Sequence, residues 1–105
     1  MTVHARFYGH VIRITPDTIS RLQTLLSEFE ITTDDSTLDF AYEGVYIDPD
    51  HYIQEIATNI PESAEAHLDF IDPLDWIIER TLIKAGQIET KRFSLNDVME
   101  RYNME

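Results

Sequence analysis

Polar side chains alternate along the start of the chain, and their types could support metal binding or acid–base chemistry. The set is His4, Arg6, Tyr8 and His10. Recurrence at every second position places side chains on one face of a β-strand. Imidazole titrates near neutral pH and binds divalent metals, and a neighbouring carboxylate makes it an acid–base pair. His67, with Glu65 or Asp69, would join this face if its strand lay across the sheet.

This spacing is not specific, because any strand with one face in water carries alternating polar residues. We therefore predict no catalytic residues and no cofactor. A metal site formed by His4, His10 and His67, or a ligand-binding or enzymatic site on the same face, is the alternative. The residues that other kinds of site require are missing. The chain has no cysteine, which disfavours thiolate metal sites, and only three scattered glycines, which disfavours phosphate-binding loops and nucleophile elbows.

Charge gives a second set of residues. The formal net charge is −12, and between Arg21 and Arg80 the chain has fifteen carboxylates but no lysine or arginine. Thirteen of the fifteen lie between Asp34 and Glu79. Helix starts and one turn explain about half of these thirteen. The explained acids are Asp34, Asp35, Asp48, Asp50, Asp72 and Asp75.

Four of the remaining acids alternate with other residues on two predicted strands. They are Asp39, Glu43, Glu65 and Asp69. If the two strands are neighbours, one open sheet face carries four carboxylates and no cation of its own strands. Arg6 on the first strand, or Lys91 and Arg92 on the last, would neutralise this face. Without them it would form a preorganised anionic surface that attracts a basic partner.

Trp76, Arg80 and Ile83 form a third candidate, a possible interface. If residues 73–85 are helical, these three side chains make a second stripe beside the apolar one. Tryptophan and arginine are frequent anchors of protein interfaces. The stripe would support a homodimer, unless a C-terminal helix carrying Val98, Met99 and Tyr102 covers it.

The elements that must position these residues are marked by helix starts. Three times a capping side chain stands directly before a proline, which is a favoured first helical residue. These pairs are Thr15-Pro16, Asp48-Pro49 and Asp72-Pro73. Ser94 begins a fourth start. A strand in which apolar and polar residues alternate precedes each helix start. The last of these strands lies near Gln87 to Phe93. The predicted order is therefore β-α-β-α-β-α-β-α.

We predict a single domain, residues 1–105, of the α+β class. It would be a two-layer α/β sandwich with a mixed sheet of about four strands and three to four helices on one face. The alternative is a β-hairpin over residues 75–93, because residues 76–83 are rich in β-branched and aromatic side chains. Without cysteine, signal peptide or apolar span, we predict a soluble cytoplasmic protein.

We predict a non-enzymatic acidic protein-binding module. Its concrete form would be an inhibitor or immunity-type protein that mimics nucleic acid towards a basic, nucleic-acid-handling target. The partner-binding residues would be Asp39, Glu43, Glu65 and Asp69. Direct binding of nucleic acid or membranes is not expected, because an anionic surface repels both. A metal- or ligand-binding domain or enzyme, and a structural subunit that self-associates, are the alternatives.

Overall fold

A computed structural model describes residues 4–94, and these form one antiparallel sheet of six strands with two helices. Along the chain the elements are β1 (His4–Ile12), α1 (Pro16–Leu25), β2 (Glu30–Asp34), β3 (Thr37–Val45), α2 (Pro49–Asn59), β4 (Glu65–Asp72), β5 (Ile77–Lys84) and β6 (Gln87–Ser94). The strand order across the sheet is β2-β3-β1-β4-β5-β6. The first six elements have the β-α-β-β-α-β connectivity of ferredoxin-like folds, and β5 and β6 extend that sheet.

The two helices begin at the predicted residues. The Thr15 hydroxyl accepts a hydrogen bond from the backbone N–H of Thr18, and the Asp48 carboxylate accepts one from Asp50. Both bonds satisfy helix N–H groups that have no partner within the helix. Neither helix has the length and apolar character that a membrane span requires.

The hydrophobic core lies between the helices and one face of the sheet. β1 runs through the middle, with Ala5, Phe7 and Val11 fully buried. Apolar residues of β3 and β4 flank these on the same face, and Leu22 of α1 and Ile56 of α2 cover them. Phe7 stacks edge-on against Phe40 and Phe70, at 5.3 and 5.7 Å between ring centroids. The opposite face of the sheet carries the polar residues of β1, β3 and β4.

The predicted four-stranded sandwich with three to four helices is wrong. Residues 77–94 form a hairpin, β5 and β6, in place of a third helix and a strand. The Asp72 carboxylate accepts the backbone N–H groups of Leu74 and Asp75, as a helix cap would, but it closes a turn. Gly86 is the second turn residue of this hairpin, with φ of 74°.

The sequence prediction also missed β2 and described the sheet as mixed, whereas every pairing is antiparallel. β2 has only five residues, and Ile31 is its only partly buried one. Its alternation of buried and exposed residues is therefore too weak to recognise. The predicted C-terminal helix, with Val98, Met99 and Tyr102, lies outside the described residues.

Candidate functional site: the open face of the sheet

The candidate site is the face of the sheet that the helices leave uncovered, called the open face below. Strand alternation directs His4, Arg6, Tyr8 and His10 of β1 to this face. The four predicted partner-binding acids share it. Asp39 and Glu43 lie on β3, and Glu65 and Asp69 lie on β4.

The two acid-bearing strands are not neighbours, because β1 separates them. Asp39 lies opposite His10 and Glu43 opposite Arg6 on one side of β1, while Asp69 lies opposite Tyr8 on the other. The condition for four contiguous carboxylates is therefore not met. The central strand instead divides the acids into two pairs.

Each of these four acids has a cationic or histidine side chain beside it. Arg6 lies 3.4 Å from Glu43, and Arg80 lies 3.4 Å from Asp69. Arg13 and Lys84 approach Glu65 at 3.1 and 3.9 Å. Of the neutralising residues expected from the sequence, only Arg6 contacts a member of this set, because Arg92 pairs with Glu79. Most of these contacts are exposed and contribute little stability, but they reduce the local negative charge.

The three histidines of the alternative metal site, His4, His10 and His67, are not all close together either. His10 and His67 are direct cross-strand partners, whereas His4 lies at the other end of β1 opposite Val45. His10 Nδ1 is 2.5 Å from Asp39 Oδ1, and His67 Nε2 is 3.7 Å from Glu65 Oε1. Within residues 4–94, no group of three or more histidine or acidic side chains has an arrangement suited to a metal ion.

Charge is segregated across the width of the sheet. Residues 30–45, which form β2 and β3, contain five acids and no basic residue. Residues 77–94, which form β5 and β6, contain four basic residues and two acids. The strand order places these two hairpins at opposite edges. One edge of the sheet is therefore strongly anionic and the other carries four lysine and arginine side chains. This difference becomes visible only once the strand order is known.

A hollow of about 390 Å³ lies on the anionic side, where β2 begins beside β3. It is lined by Tyr8, Glu28, Glu30, Ala41, Tyr42 and Glu43. Among the described residues its lining has three carboxylates and no lysine or arginine, so it favours a positively charged group, although Arg6 contacts one of the three, Glu43, from outside the lining. A second cavity, of about 300 Å³, lies over β4–β6, and its lining includes both Arg80 and Lys91.

Three of the acids attributed to helix starts, Asp48, Asp50 and Asp72, gather together with Glu79 around one side chain, Tyr46. The pKa of Tyr46 is raised, first by partial burial of its ring and then by the negative charges of Asp72, Asp48, Glu79 and Asp50. These residues come from separate elements that meet at the end of β3. The sequence indicates that Asp48 and Asp72 accept nearby backbone N–H groups, but the convergence of the four acids depends on the fold.

The predicted interface of Trp76, Arg80 and Ile83 is not one stripe, because these residues are not helical. Ile83 is buried in the core, and Arg80 points to the open face. Trp76 lies in the turn before β5, with φ of 55° and 55% of its surface exposed. Of the three, only Trp76 remains an exposed apolar side chain.

No family model, curated protein or solved structure matches this chain. The connectivity of the sheet occurs with many unrelated activities, so function must be argued from the surface itself.

Proposed function

We propose that this protein is an acidic binding module that docks a basic protein through the β2–β3 side of its sheet. The observation that carries the proposal is the segregation of charge: five acids without a basic residue in residues 30–45, and four basic residues on the opposite hairpin. Such a field orients and accelerates the encounter with a basic partner.

The carboxylates of β2 and β3 form the centre of the proposed binding surface. Asp39 and Glu43 belong to that side, together with Glu30 and Asp34 of β2. Glu65 and Asp69 lie beyond β1 and beside Arg13, Lys84 and Arg80. Within the described residues, only Glu43 of the four acids on β2 and β3 has an arginine, Arg6, beside it. We therefore assign Glu65 and Asp69, which lie next to the cationic β5–β6 hairpin, a smaller part in attracting the partner.

A target that normally grips nucleic acid is the partner class that best fits this surface. Carboxylates held on a rigid sheet present fixed negative charges, as a phosphate backbone does. The protein would then act as an inhibitor or immunity-type protein by occupying the nucleic-acid site of its target. No catalytic step is required of it.

Capture from a cell lysate tests this function. The immobilised protein should retain basic proteins at about 50 mM salt and release them at about 1 M, because the Debye length falls from above 10 Å to about 3 Å. Duplex DNA should release the same proteins if it competes for the same site. Retention that survives high salt, or that DNA leaves unchanged, would contradict the proposal.

A second candidate function is a small metal- or ligand-binding site, favoured by the contact between His10 and Asp39. A carboxylate that holds one ring nitrogen orients the other towards a metal, as in many metal sites. Zn²⁺ should then raise the melting temperature, and chelator or His10→Ala should remove the rise, whereas His51→Ala on α2 should not. No rise with any common divalent ion would remove the metal version of this candidate.

A further inference from the structure

The outer edge of the anionic side is an open strand. Within residues 4–94, β2 pairs only with β3, and four of its five residues are exposed. In an antiparallel ladder, alternate residues direct their N–H and C=O groups away from the paired strand. β3 is also longer than β2, so residues 42–45 extend past the β2 ladder beside the acidic hollow. The backbone on this side can therefore accept one more strand.

The two edges of the sheet differ in charge. The side chains around β2 include Glu28, Glu30, Asp34 and Asp35, without a lysine or arginine. At the other edge, β6 carries exposed Lys91 and Arg92. A basic segment is thus attracted to β2 and repelled by the cations of β6, although, among the described residues, both edges offer unpaired backbone groups.

We propose that a basic, extended segment of the partner adds to the sheet as a strand beside β2. This inference rests on the proposed function for its basic partner and adds the mode of recognition. In strand addition, backbone hydrogen bonds provide affinity and alternate side chains provide specificity.

The side chains that β2 presents on each face of the sheet determine which residues the added strand should carry. Glu30, Thr32 and Asp34 lie on the open face, whereas Ile31 and Thr33 lie on the helix-covered face. The added strand should therefore carry lysine or arginine at alternate positions, facing Glu30 and Asp34. β-Branched apolar residues between them would lie next to Ile31. One basic side chain would enter the hollow formed by Glu28, Glu30 and Glu43.

Three synthetic peptides of equal charge test this mode on the full-length protein. The first alternates lysine with valine, the second has the same sequence with N-methylated valines, and the third groups all lysines before all valines. The alternating peptide should bind at least about tenfold more tightly than either control. It should also slow the amide hydrogen exchange of residues in β2, but not of those in β6.

Each other outcome has a distinct meaning. Equal binding of the N-methylated or grouped peptide, or new protection at β6, would overturn strand addition while leaving charge-driven binding intact. No binding by any of the three peptides at low salt would overturn both strand addition and the proposed function.

Discussion

Phe7→Ala is expected to lower the free energy of unfolding by about 3–5 kcal/mol. Phe7 is fully buried in the central strand, and its ring packs against Phe29, Phe40, Tyr52 and Phe70. Truncation removes the side chain that joins both halves of the core and leaves a cavity there. Because domains are stable by only about 5–15 kcal/mol, urea unfolding should show a large shift of the midpoint.

The neighbouring residue supplies the control. Tyr8 lies on the same strand but on the open face, with 37% of its surface exposed. Tyr8→Ala should cost less than about 1 kcal/mol. Similar losses for the two variants would contradict the assignment of the helix-covered face as the core.

Gly9→Ala is expected to destabilise the protein by about 1–3 kcal/mol through overcrowding of the core. The ring of Phe40 lies directly over Gly9, and an added Cβ would clash with it and lie 2.8 Å from Leu68 Cδ2. The surrounding side chains would have to move in an already filled interior. Thermal unfolding of the single variant measures the cost.

A double-mutant cycle with Phe40→Leu identifies the cause of the loss. The smaller side chain makes room for the new methyl group, so the double variant should lose at least about 0.5 kcal/mol less than the sum of the single losses. Additive losses would show that Phe40 is not the residue that requires glycine on β1.

Local capping chemistry made two helix starts predictable and also produced the main error. Thr15 and Asp48 accept backbone N–H groups and begin helices, as their sequences indicated. Asp72 makes the same kind of bond to Leu74, but the strand that follows from Ile77 onward is rich in β-branched residues and pairs with β4. An Asp-Pro signature therefore specifies the cap and not the element that follows it.

The face of each candidate residue was predictable, but its neighbours were not. Period-two alternation correctly assigned Asp39 and Asp69 to strand faces away from the core. His10, the partner of Asp39, lies 29 residues away in the sequence, whereas Arg80, the partner of Asp69, lies on the next strand, which the sequence prediction had assigned to a helix. Strand order decides such contacts, and no local pattern encodes it. For the same reason, the difference in charge between the β2 and β6 edges can be seen only in the folded structure.

The most direct test of the account compares two variants that change net charge equally. One neutralises the β2–β3 side with Glu30→Gln, Asp34→Asn, Asp39→Asn and Glu43→Gln. The other neutralises acids outside that side with Glu62→Gln, Glu65→Gln, Asp69→Asn and Asp75→Asn. Both remove four of the twenty acids, so a difference between them reports position and not total charge.

The measurement is the dissociation constant for a basic protein captured by the unmodified chain, at low salt. We predict that the β2–β3 variant binds at least about tenfold more weakly than the other variant, with both retaining the fold by circular dichroism. Equal affinities, or a larger loss in the second variant, would contradict the claim that the β2–β3 side is the binding surface.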